Sequence, residues 1–135
     1  MNVGDLIEIE GNVWNVRVLS IKETFSVLYT DNTGRTLLRG APLTLDPLGT
    51  FYTHEVEFAR RGDAYEEFDN LFSYLSRPRS SGIKVKIAHG QGRIEYNAYV
   101  SAGERELVRL TQDGTRIWDK FTAKFTPIEA QVVPT

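Results

Sequence analysis

At 135 residues, with a net charge of −2 and a pI near 5.7, the chain has the size of one domain and can bury roughly two-thirds of its unfolded surface in a single core. It contains no cysteine, which excludes disulfides, thiolate nucleophiles and Cys-ligated zinc and suits synthesis inside a cell. Acids and bases are interspersed, which argues against a preformed basic surface for nucleic acid, and no apolar run approaches the roughly 20 residues of a membrane helix.

Taken in order, DLIEIEGNVWNVRVL over residues 5–19 alternates apolar and polar positions around Gly11-Asn12, which predicts a hairpin of two short strands. Residues 23–39 predict a second hairpin, turning at Asp31-Asn32-Thr33-Gly34, where Asn and Gly tolerate left-handed backbone. Its strand carries Phe25, Val27 and Tyr29 on one parity and Leu28 on the other, so both faces call for cover, from this chain's own core or from another subunit. Residues 40–50 hold two prolines and two glycines and read as a connection with a turn at Pro47-Leu48-Gly49. FYTHEVEFA, residues 51–59, then alternates again, with Tyr52, His54, Val56 and Phe58 on one face.

The stretch from Asp63 to Pro78 is the one helical pattern. Tyr65, Phe68, Leu71, Phe72 and Leu75 recur at three- and four-residue spacing and form one apolar stripe. Asp63 is expected as N-cap with Glu66 three residues on, and Pro78 sets the end near Ser76. The preceding Arg60 and Arg61 oppose the helix dipole, so they are either solvated or in contact with an acid.

IKVKIAHGQGRIEYNAYV is the clearest hairpin. With Gly90-Gln91 as its turn, Ile87 pairs with Ile94 and Val85 with Tyr96 on one face, while Lys86 meets Glu95 and Lys84 meets Asn97 on the other. Ala102-Gly103 and Asp113-Gly114 are expected to turn the chain twice more, placing Arg109 opposite Trp118 for a cation–π contact. Phe121, Ala123 and Phe125 face inward, and the parity break at Trp118 implies a bulge or a strand used on both faces. The final IEAQVVPT has no pattern and is expected to be an arm.

Chemistry is sparse. His54 and His89 are the two histidines, and neither has a second ligand at metal spacing, so no metal site is expected and His54 reads as a plain strand residue. HGQGR is followed by a strand pattern instead of a helix, which makes it a turn and not a phosphate cradle. No serine has a nucleophile-elbow motif and no carboxylates pair across a site, so no catalytic or cofactor-binding residue is assigned and the chain is not expected to be an enzyme. Tyr96, Tyr99, Trp118 and Phe121, interleaved with Lys and Arg, keep open a single-strand-stacking or ligand-binding β-barrel module as the alternative.

The run THEVEF entering EEFDNLFSYLSRP, then SAGEREL, then WDKFTAKFTP resembles the tail-tube fold of long-tailed bacteriophages, seen in tail tube proteins and in the N-terminal domain of distal tail proteins. The likeness covers about residues 51–127, a strand, a helix and a three-strand meander, with residues 1–50 as N-terminal hairpins of the same single domain. The expected class is α+β, mainly β: an antiparallel β-sandwich or half-barrel with one packed helix. The resemblance implies a virion structural protein, made in the bacterial cytoplasm, forming a ring of six around a channel through which DNA passes without specific binding, in contact with other tail proteins. Distal tail proteins usually carry a further domain, and the end at Thr135 favours a tube, terminator or small adaptor role. Phe25, Val27, Tyr29, Leu37 and Trp118 are the residues expected at subunit contacts.

Overall fold

The computed structural model describes residues 5–29, 34–35 and 43–134. The fold is α+β and mainly β. Among the described residues, six strands form one antiparallel sheet: β1 (Ile7–Ile9), β2 (Arg17–Tyr29), β5 (Pro47–Ala59), β6 (Ile83–His89), β7 (Gly92–Leu110) and β8 (Arg116–Pro127), in the order β1-β6-β7-β8-β5-β2. Two short strands, β3 (Gly34–Arg35) and β4 (Leu43–Thr44), pair with each other beyond the far ends of β2 and β5. The helix α1 (Tyr65–Ser76) links β5 to β6.

Strand parity decides which face is wet. Across β2, β5 and β8, one set of rows runs Val18–Phe58–Phe121 and Ile21–Val56–Ala123, and across β1, β6 and β7 the matching rows are Ile7–Ile87–Ile94 and Ile9–Val85–Tyr96. Most of these residues form the buried core, with Val18, Ile21 and Ile94 partly buried against it, and a fully buried large side chain contributes about 1.5 to 3 kcal/mol. The opposite face carries exposed charges of alternating sign, with Lys22 opposite Glu55 and Glu55 opposite Lys124. Helix α1 lies over the apolar side. Phe68, Leu71 and Leu75 are buried, Tyr65 and Phe72 half-buried, and the rings of Phe68 and Phe72 meet Phe121 edge-on at 5.1 and 5.3 Å.

The Ile83–Val100 hairpin has the register expected of it, with Ile87 opposite Ile94 and Val85 opposite Tyr96. Gly90 holds its turn at φ 58°. The Asp113-Gly114 turn also joins two paired strands, β7 and β8.

Elsewhere long-range pairing overrides local turn signals. Residues 5–19 do not form a hairpin of two strands: Glu10 and Gly11, both at positive φ, make the turn, but β1 pairs with β6, where Ile7 and Ile9 extend the apolar rows. The 23–39 hairpin is likewise replaced, because β2 pairs with β5 from Arg17↔Ala59 to Tyr29↔Pro47. A thirteen-residue ladder satisfies far more backbone than the short local turn would. The turn residues Asp31–Thr33 and the interface candidate Leu37 lie outside the described residues. Pro47-Leu48-Gly49, expected as a turn, begins β5.

Asp63 is not the helix cap. The tight turn from Arg61 to Ala64 puts Ala64 at the N-cap position, and neither Asp63 nor Glu66 makes a side-chain capping bond. Ala102-Gly103 is not a turn: β7 runs through it with a bulge between Val100 and Ala102, and Gly103 is there for close approach, since a Cβ would sit 2.8 Å from the Thr122 carbonyl oxygen. Two further register shifts in β7 put Leu107, not Arg109, opposite Trp118. The cation over the Trp118 ring is Arg105, at 4.3 Å, which also covers Phe72 at 4.0 Å and pairs with Asp69 at 2.9 Å. Arg60 meets an acid, Asp119, at 3.2 Å.

The C-terminal segment is pinned and is not a free arm. Where β8 stops at Pro127, residues 130–132 take its place along β5: the Thr50 N–H donates to the Val132 carbonyl, and the Gln131 side-chain amide bonds both the N–H and the carbonyl of Tyr52. The glutamine amide imitates a strand residue, which no hydrophobic pattern would reveal.

Candidate functional site

Two polar residues interrupt the inward rows of the ribbon formed by β2 and β5. On β2 the residues of this parity are Ile21, Glu23 and, past the core, the exposed Phe25; on β5 they are Tyr52, His54, Val56 and Phe58. The β2–β5 register places Glu23 directly opposite His54. His54 is 0% exposed, and a polar side chain so deeply placed needs partners for both ring nitrogens. It has them. Nδ1 lies 2.7 Å from the hydroxyl of Tyr96 on β7, and Nε2 lies 2.7 Å from Glu23 Oε2.

The same carboxylate oxygen reaches a second histidine. His89, at the last position of β6, has Nδ1 2.6 Å from Glu23 Oε2. Tyr52 supports the His89 ring edge-on at 4.8 Å, and Tyr96 stacks on His54 at 5.6 Å. Strands β6 and β2 have β7, β8 and β5 between them in the sheet, so this contact means that the sheet curls until its two ends approach. The result is a half-barrel, not two packed sheets, with the Glu23 cluster across its open seam.

Burial and charge act in opposite directions here. Burial alone would push the Glu23 carboxyl up, but hydrogen bonds from His89 and His54, and their charge, outweigh it and hold Glu23 below the usual carboxylate range. For His54 burial dominates and lowers its pKa, against the pull of Glu23. Tyr96 is pushed up, by burial first and then by the Glu23 charge, so its hydroxyl stays protonated. Glu23, with side-chain exposure of 31%, and His89, with 36%, open to solvent, while His54 closes the inner end. The ligand atoms of Glu23, His54 and His89 all lie within 4.8 Å of one another.

No protein-family model and no curated protein matches the chain.

His54 is a strand residue, as its alternation indicates, and long-range pairing adds the hydrogen-bond partners that its sequence neighbourhood lacks. Three of the residues expected at subunit contacts follow Glu23 along β2. Phe25, 70% exposed, stands clear of the core, as do Val27 and Tyr29, all three on the outer half of β2. Leu19, Leu28 and Leu48 add to the exposed apolar surface of that ribbon. Trp118 is half-buried against the core and covered by Arg105, so it is not part of this surface. Of the four rings considered for base stacking, Tyr96 and Phe121 are buried and Tyr99 is exposed. Among the described residues, no helix is long and apolar enough to cross a membrane.

Proposed function

We propose that the chain is a structural subunit of a long-tailed bacteriophage tail, a tube, terminator or baseplate-adaptor component that assembles with copies of itself into a ring around the DNA channel. The observation that carries this reading is the β2 edge. Among the described residues, strand β2 ends the sheet, is thirteen residues long, and exposes Phe25, Val27, Leu28 and Tyr29. A long edge strand with exposed apolar side chains pairs readily with another chain. A head-to-tail contact, in which β2 of one copy meets a different surface of the next, closes into a ring when the rotation allows.

Two further features support the reading. The motifs from Thr53 to Pro127 resemble the tail-tube fold, whose subunits form six-membered rings. The outward face, where Lys22, Glu55 and Lys124 alternate in sign, would present DNA with a nearly neutral wall, along which a duplex slides because few phosphates are held. The test is electron microscopy of the purified protein at high concentration, paired with retention on single-stranded DNA at physiological salt. Rings or stacked tubes without DNA retention are the expected outcome. Retention by a monomer would instead favour a nucleic-acid-binding barrel.

A further inference from the structure

We infer that Glu23, His54 and His89 form a binding site for one divalent transition-metal ion, zinc by the nature of the donors, set across the seam of the half-barrel. This inference is independent of the proposed assembly.

The argument begins with donor type. Two imidazole nitrogens and one carboxylate oxygen are a set that zinc takes as three protein ligands, leaving a fourth position for water, whereas calcium and magnesium prefer oxygen. Geometry follows. Zinc holds nitrogen and oxygen donors at about 2.0 to 2.2 Å, so tetrahedral neighbours stand about 3.3 Å apart. Glu23 Oε2 is 2.7 Å from His54 Nε2 and 2.6 Å from His89 Nδ1, and all three ligand atoms fit within 4.8 Å. Zinc binding would therefore move the carboxylate oxygen outward from both rings to reach ligand spacing. The ion would then occupy the place now held by the hydrogen-bonded protons between the carboxylate and the two rings.

Support for the ligands is already in place. A metal-bound histidine ordinarily donates its other ring N–H to an oxygen, which fixes the tautomer. His54 Nδ1 lies 2.7 Å from Tyr96 Oη, and a tyrosine hydroxyl can either donate or accept. With Nε2 on the metal, the ring proton resides on Nδ1 and is donated to Tyr96; without metal, Nε2–H faces Glu23 and the Tyr96 hydroxyl donates to Nδ1. The proton changes nitrogens on the ring, and none need be lost. Tyr52 holds the His89 ring edge-on, and the partial exposure of Glu23 and His89 provides the entry path. The three ligands come from β2, β5 and β6, so an ion here would join the two ends of the curled sheet.

The test uses the untagged full chain, stripped with chelator, titrated with Zn²⁺ by calorimetry and with Co²⁺ by visible absorption. One equivalent of Zn²⁺ is expected to bind and to raise the melting temperature, with Co²⁺ giving the intense bands of a tetrahedral site and Mg²⁺ giving no response. His89→Ala, at a partly exposed position, should abolish the cobalt bands. Tyr96→Phe retains all three ligands and should weaken Zn²⁺ about 10- to 100-fold. The inference is overturned if Zn²⁺ fails to bind the wild type, or if His89→Ala and Glu23→Gln bind it unchanged, which would place the ion elsewhere.

Discussion

Glu23 Oε2 lies 2.6 Å from His89 Nδ1, joining β2 to β6 although three other strands separate them in the sheet. The contact couples the curl of the sheet to one carboxylate. It also leaves the buried His54 dependent on that carboxylate for its Nε2 partner.

Glu23→Ala is therefore expected to destabilise the metal-free protein by about 1 to 3 kcal/mol, because a buried ring nitrogen is left without a partner. Glu23→Gln, which keeps an acceptor oxygen, should lose less. Urea denaturation in the presence of chelator measures both; equal losses for the two variants would show that the hydrogen bond to His54 is not what the carboxylate supplies.

The helix makes a separate demand. Leu71 is fully buried between α1 and the sheet, and Leu71→Ala should cost about 2 to 5 kcal/mol in the same assay. A loss below about 1 kcal/mol would mean that the surrounding rings collapse into the space.

How much of this was legible in the sequence depends on the range of the interaction. Periodicity found α1, since a helix buries its own neighbours three and four residues away, and it found the β6–β7 register, where Gly90-Gln91 and the alternation on both sides agree. It failed where a local turn signal competed with a distant strand: Asp31–Gly34 looks like a hairpin turn, yet the β2 partner lies beyond it, at Pro47–Ala59. The site was hidden for the same reason. Glu23 follows Ile21 on the core-facing parity of β2, and His54 interrupts Tyr52, Val56, Phe58 on β5; these two polar positions were the available signal, and they become one feature only once β2 is laid against β5.

Arg105 is expected to couple energetically to Trp118. Its guanidinium spans the rings of Phe72 and Trp118, and a double-mutant cycle with Arg105→Gln and Trp118→Leu should return a coupling of about 0.5 to 1 kcal/mol. The same cycle with Arg109 in place of Arg105 should return none.

Asp113 provides a pH reading far from the seam. The Thr111 hydroxyl donates to its carboxylate, as does the Thr115 N–H, and together they lower its pKa below the ordinary 3.8. The folded state thus favours the ionised form: the contribution is complete above 3.8 and disappears as pH falls through the lower folded value. A carboxyl carbon NMR titration should place the Asp113 midpoint below 3.8, and Thr111→Val should move it upward. A midpoint unchanged by Thr111→Val would contradict the assignment.

The central claim is that the apolar β2 edge is covered by another copy of the chain, and sedimentation velocity of the wild type beside Phe25→Lys/Val27→Lys tests it most directly. Both side chains are exposed in the single chain, so the variant should keep the wild-type fold. The wild type is expected to sediment as a closed oligomer and the variant as a 15.3 kDa monomer with unaltered circular dichroism. Wild type that stays monomeric at the highest attainable concentration, or a variant that assembles as well as the wild type, would contradict the account.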